Sequence, residues 1–289
     1  MKANFNFGPE LLDNKDQFKG DFYNRFQLRK APKPIQLTDE IAKDYLFPTF
    51  YGNVTCAIAI FFCDYKAAKA LLPHPSFVPV KATKGRALVT LSCYEYKNVL
   101  GVAPYNEIAM TIPMMLNPGF NPPILPLVMK SFKNFGYHVF SMPVTSEENR
   151  LRGVNIWGLP KVTEDIDITI KDGKCVTKAK DENGIVYFEL TVPTEGKTQH
   201  FDEQGYLYSI LHEEVHKSKT CFKNDFTVNK NMSLLWKKDI PTQNPPLKLG
   251  DSPRAEVLKK LKLTQSAFQF RFTQGMSCCF DLAEEKWDV

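Results

Sequence analysis

Arginine is scarce in this chain: among 37 basic residues only Arg25, Arg29, Arg86, Arg150, Arg152, Arg254 and Arg271 carry a guanidinium, and the rest are lysines. The planar Arg fork is what grips phosphates and guanine edges, and the densest basic cluster is merely Lys259, Lys260 and Lys262. The net charge of +5 therefore describes a lysine-rich solvated surface, and nucleic acid is not an expected partner. The cysteines, at 56, 63, 93, 175, 221, 278 and 279, form no CxxC pair. Reduced, buried thiols are the simplest reading, which suits a cytoplasmic protein. The opening MKANFNFGPELLDNKDQFKG lacks the apolar h-region of a secretory signal. No Gly-x-Gly-x-x-Gly, Walker loop or Gly-x-Ser-x-Gly occurs, so no nucleotide cofactor is indicated. Internal repeats are absent as well.

One uncharged run, Ile108 to Met129, is long enough to cross a membrane. It contains Pro113, Pro118, Pro122, Pro123, Pro126 and Gly119, and a helix missing so many donors would not hold in lipid. It reads as an apolar, proline-stiffened loop or lid, and no membrane span is expected.

What is present is a chain of 289 residues, 43% hydrophobic and 12% aromatic, enough for a sizeable core. Residues 1–45 are polar and mixed, and TDEIAKDYL suggests a short capped helix; we read them as an N-terminal extension. From Tyr51 onward, runs rich in Val, Ile, Thr, Phe and Tyr alternate with Gly, Pro, Asn and Asp. Strands are expected at 54–62, 86–97, 106–114, 137–144, 164–192 and 268–282, with hairpin signals at KDGK and DENG. Only DYKAAKALLP and SPRAEVLKKLKL read as helices. The expected fold class is mainly antiparallel β (α+β), a closed or cone-shaped β-barrel with few short helices, spanning 46–289 as one domain.

The sharpest local signal is LRGVNIWGLPKV, residues 151–162. A lysine directly after Gly-Leu-Pro and behind Ile156-Trp157 is held by a rigid turn. Apolar walls strip hydration from its ammonium, lower its pKa and make it a neutral nucleophile. Among so many lysines, an exposed turn lysine is the competing reading of the same residues.

Further segments decide between these readings by resemblance. YGNVTCAIAIFFCDYKAAKALLPHPSF (51–77), LGVAPYNEIAMTIPM (100–114), GVNIWGLPK (153–161) and SPRAEVLKK (252–260) resemble, in that order, segments of the acetoacetate decarboxylase family. The resemblance implies that Lys161 is a Schiff-base nucleophile and Glu107 an acid/base or orienting carboxylate. Tyr105, Trp157, Leu159, Val162, Val54 and Thr90 would line the substrate pocket. It further implies a lyase acting on a β-keto or related carbonyl acid, without metal or cofactor, in a homo-oligomer. Three departures stand out: Val162 replaces the family's second lysine, Val54 a carboxylate-associated arginine, and Thr90 a second glutamate. Residues 113–126 also look like an insertion. The alternatives are aldolase- or dehydratase-like chemistry through the same iminium, or a non-catalytic small-ligand-binding barrel.

A rival motif is HEEVH, 212–216, whose His212 and His216 would share a helical face and hold zinc, with Glu213 as base, as in zinc peptidases. Glu214 and Lys217 put charges where such helices are apolar, and the preceding GYLYSIL alternates like a strand. A solvated segment is the preferred reading there.

Overall fold

The computed structural model describes residues 1–129 and 131–288. Its framework is a sheet that closes on itself. The strands are β1 (Thr49–Asp64), β2 (Phe77–Pro79), β3 (Arg86–Val99), β4 (Tyr105–Leu116), β5 (Phe135–Val144), β6 (Lys161–Thr163), β7 (Asp165–Lys171), β8 (Lys174–Lys180), β9 (Val186–Pro193), β10 (Lys197–Leu211), β11 (Glu214–Lys230), β12 (Leu247–Leu249) and β13 (Gln269–Asp288). Around the ring the order is β5, β10, β11, β13, β1, β3, β4, and the pairing of β4 with β5 closes a barrel of seven strands. The short β2 and β6 extend β4 and β5. Closure removes the free edges of the sheet.

Strands β7, β8, β9 and β12 form a second, antiparallel sheet. It packs on the outside of the barrel, where Ile166, Cys175, Phe188, Leu190 and Val192 meet Ala57, Ala59, Phe61, Val89, Leu91, Ile108, Met110 and Ile112. Barrel residues on the alternate positions, Cys56, Ile58, Ile60, Thr90, Ser92, Glu107, Ala109 and Thr111, face the lumen. Strand β4 is therefore covered on both faces, and all of its residues are buried, which is why its sequence shows no polar alternation. The run from Ile108 is thus a core strand as far as Leu116, and only the part after it is loop, with one short helical turn at Leu125–Val128. Pro113 sits where β3 has ended, at Thr111, and β2 has not begun, at Met114. Its missing N–H interrupts neither ladder.

Helix α1 (Tyr65–Ala70) is capped by Asp64, whose side chain accepts from Ala67 N at 2.8 Å. A second expected helix is shorter: Ser252 caps a turn at Pro253–Ala255 that continues into Glu256–Lys260. Asp172 and Gly173, both at positive φ, turn β7 into β8 as KDGK foretells.

One expectation is corrected, one rival reading falls, and one helix appears that was not expected. TDEIAKDYL is extended, with Ala42–Lys43 and Leu46–Phe47 as short strands. Burial of Lys43, Tyr45 and Phe47 follows a period of two, which outweighs the propensity of a helix too short to stand alone. HEEVH is not helical. His212 and Glu213, at φ 52° and 63°, make the two-residue turn between β10 and β11, so the i, i+4 geometry that would pair two histidines on one face does not exist. His216 lies in β11 with its Nε2 on Glu214 at 3.3 Å, and no cluster of three metal-ligating side chains forms among the described residues. Finally, residues Glu147–Trp157, which were not among the expected helices, form helix α2. Its buried side includes Glu148, Asn149, Arg152 and Gly153, so no apolar stripe advertised it.

The N-terminal residues lie against the barrel: Phe18, Phe22 and Tyr23 pack on Phe50, and Arg29–Lys30 pairs with Leu46–Phe47. Among the described residues no helix is long and apolar enough to cross a membrane.

Candidate active site

Lys161 is placed by a crossover. Strand β5 leads into α2, which returns the chain to β6, running parallel to β5 with Lys161 beside Met142. Ser146 Oγ accepts from Asn149 N to start α2, and Gly158 ends it in the left-handed conformation at φ 62°. There the N–H groups of Gly158 and Leu159 bond back to the carbonyls of Val154 and Gly153. A side chain at Gly158 would strike the Ile210 carbonyl, 2.3 Å from where its Cβ would lie. The Gly-Leu-Pro sequence is therefore the helix stop that aims Lys161.

The Lys161 side chain passes inward over α2. A Cβ on Gly153 would lie 2.3 Å from Lys161 Cδ and 2.5 Å from Cε, so the glycine leaves the channel through which the lysine stem runs. At its end, Lys161 Nζ donates to Glu107 Oε2 at 2.5 Å, with both side chains under 10% exposed. Glu107 comes from β4, and its other oxygen accepts from Tyr96 OH at 3.2 Å. The Tyr105 ring lies 5.7 Å from Nζ.

The charges around the amine oppose each other. Burial pushes the Lys161 pKa below its ordinary value; Glu107 works in the opposite direction by charge and hydrogen bond, and Arg152 adds to the depression. Arg152 is buried in α2, bonded to Asn149 Oδ1 and Thr49 Oγ1, both at 2.9 Å, with its guanidinium 4.3 Å from the centre of the Tyr45 ring. Burial pushes the phenols of Tyr94, Tyr96 and Tyr105 well up, so they remain neutral donors around the carboxylate.

The pair opens onto a lumen cavity of about 220 Å³. Trp157, Leu159 and Thr90 line it with Lys161 and Glu107, as do Tyr51, Tyr94, Tyr96, Tyr137 and Arg271. Trp157 is fixed by its indole N–H on Asp281 O at 2.8 Å and by Phe280, 4.6 Å between ring centres. Tyr105 packs beneath the pair, but neither it, Val54 nor Val162 is part of the cavity lining. Val54 is sealed into the cluster of Tyr96 and Tyr105, and Val162 is half-buried on β6. A larger groove of about 580 Å³ lies outside the barrel, with Lys174, Lys230 and Lys248 in its wall. That wall holds no acid or histidine, so it lacks an acid/base pair. Sequence reasoning missed Arg152, Gly153 and Arg271; the first two needed α2 to be seen, and the third needed the closure of the barrel.

The fold is thus a closed barrel with a second sheet on its flank and a buried lysine–carboxylate pair facing its lumen. The family description Acetoacetate decarboxylase (ADC) matches residues 32–265, and the chain belongs to that family. Among solved structures it is similar to acetoacetate decarboxylase from Legionella pneumophila, at 14% identity and a TM-score of 0.57, covering 83% of this chain and 88% of that one. A second acetoacetate decarboxylase structure matches at 14% and 0.56, over 84% and 89%. The enduracididine biosynthesis enzyme MppR, complexed with pyruvate, matches at 11% and 0.54, over 83% and 90%. These likenesses establish the fold. No curated protein sequence matches the chain.

Proposed function

We propose that the protein forms a Schiff base between Lys161 and a carbonyl acid, and that the iminium leads to decarboxylation. The observation that carries this reading is the buried Lys161–Glu107 pair at 2.5 Å, facing a cavity of about 220 Å³. Burial favours the neutral amine, which attacks the carbonyl carbon; Glu107 takes the ammonium proton and returns it as the carbinolamine loses water. In the iminium of a β-keto acid, the bond between the α-carbon and the carboxyl carbon breaks. Carbon dioxide leaves, and the electron pair is held as an enamine. Protonation at the α-carbon and addition of water then release the ketone and free Lys161. Tyr96, which donates to Glu107, orients the carboxylate between these transfers.

A second reading shares the iminium and diverges after it. Val54, Thr90 and Val162 leave the Lys161 end without the arginine, second glutamate and second lysine of the family's pattern, and the MppR structure holds pyruvate. An aldolase- or dehydratase-like outcome uses the enamine as a carbon nucleophile instead of protonating it.

Both readings are tested by incubating the protein with a β-keto acid and borohydride and mapping the adduct by peptide mass. A reduced adduct on Lys161, absent from K161A, is expected; an adduct confined to other lysines refutes them. Release of carbon dioxide then separates decarboxylation from condensation.

A further inference from the structure

The lumen has a second charged wall. Arg271 lies on β13, three strands from β4 in one direction round the barrel and three from β5 in the other, so it faces the Lys161–Glu107 pair across the cavity that all three line. Its register is also offset from theirs. Glu107 pairs with Tyr94, and Tyr94 with Cys56, whereas Arg271 pairs with Ile58, Ile58 with Ser92, and Ser92 with Ala109, one inward-facing position further along these strands. Burial lowers both pKa values; beyond that, Glu107 and Arg152 act on Lys161, and Tyr137, Cys56 and Glu203 on Arg271.

Burial disfavours the Arg271 guanidinium, while the nearby Glu203 carboxylate favours its charge. Arg271 directs Nε and Nη2 to one neutral acceptor, Gln269 Oε1, at 3.3 and 3.0 Å, and lies 4.9 Å from the centre of the Phe201 ring. Among the described residues Nη1 has no hydrogen-bond partner. Between Arg271 and Lys161 the lining is largely apolar, with Ile58, Ala109 and Val139, and carries the hydroxyls of Ser92 and Tyr137.

Resting on the Schiff-base reading for its Lys161 end, we propose that Arg271 anchors an anionic group at the far end of the ligand. The ligand class is then an extended oxo acid: a carbonyl at Lys161, an apolar spacer along Ile58, Ala109 and Val139, and a carboxylate on Arg271. The carboxylate that would leave as carbon dioxide lies beside Lys161 and is a different group from the one Arg271 holds.

The probes are 6-oxoheptanoate and its neutral methyl ester, used with the full chain and with R271Q and R271K. In borohydride trapping at Lys161, R271Q is expected to raise the half-saturating concentration of the acid about 10-fold or more, the weight of one lost charge-assisted contact. The maximal rate and the ester response stay unchanged, the latter showing that the variant is folded, and R271K recovers part of the loss. Equal half-saturation of the acid in wild type and R271Q overturns the proposal. Equilibrium dialysis of the same acid without borohydride reads the anchor independently. Arg271-dependent binding without trapping retains the anchor and rejects the Schiff base, whereas Arg271-independent binding rejects the anchor.

Discussion

Gly153→Ala tests the channel that carries the lysine. The added methyl would lie 2.3 Å from Lys161 Cδ and 2.5 Å from Cε, where nonbonded carbons rest at about 3.5–4.0 Å. The lysine stem must therefore move by more than ~1 Å, because α2 and β6 are tied together by the Leu159 N to Gly153 O bond at 3.0 Å. Two opposing stability effects follow. Alanine in a helix interior is favoured over glycine by about 0.8–1.0 kcal/mol, and overpacking a filled site costs about 1–3 kcal/mol. The net loss is at most about 2 kcal/mol, and the protein remains folded. Reactivity has no such compensation, since a displacement of about 1 Å between reacting groups costs on the order of 100-fold. The assay is the rate of borohydride-trapped labelling of Lys161 at saturating carbonyl acid, run beside thermal unfolding. A folded G153A that labels at the wild-type rate refutes the channel.

Other outcomes follow from the same geometry. E107Q removes the group that holds the Lys161 proton on, so the acid limb of the pH–labelling profile moves to lower pH; a limb that stays in place means the two groups are not coupled. The folded Lys161 pKa lies below the ordinary 10.5, so in that window the unfolded chain binds a proton that the folded chain does not. Wild type therefore gains stability relative to K161M as pH rises through the folded pKa toward 10.5, measured as the difference between urea midpoints at neutral and alkaline pH. A difference that is flat with pH contradicts the depressed pKa. Phe188, fully buried where the second sheet meets the barrel, should cost about 3–5 kcal/mol as F188A, read from chemical denaturation. A loss below about 1 kcal/mol would mean that the second sheet is not joined to the core there.

The legible parts of the sequence were those where one local rule suffices. Asp64 before an alanine-rich turn, Asp172-Gly173 between alternating strands, and Gly158-Leu159-Pro160 before Lys161 each announce a cap or a turn through backbone sterics alone. Helix α2 was illegible because its buried side carries Glu148, Asn149, Arg152 and Gly153 instead of an apolar stripe, with Glu148 bonded to Lys43 and Tyr45 and Arg152 to Asn149 and Thr49. The hairpin of β10 and β11 was missed because a His-Glu turn at positive φ lacks the glycine or asparagine that such turns usually advertise. Val54 and Val162, expected in the pocket from resemblance, lie outside its lining: Val54 is one inward step along β1 from the lumen residue Cys56, and Val162, next to Lys161, takes the opposite face of β6.

By itself the sequence determined a β-rich chain and its main turns, because these follow from side-chain period and backbone sterics, whereas Lys161 and Glu107 were singled out by the family resemblance of the segments that carry them. Only the tertiary structure decided that Lys161 and Glu107, 54 positions apart, meet in a buried hydrogen bond, that Gly153 leaves room for the lysine stem, and that Arg271 faces them from the opposite wall. Barrel closure joins β4 to β5 and turns alternate residues from seven strands into one lumen. Which residues meet across that lumen depends on register and strand order summed round the ring, and no local pattern encodes that sum.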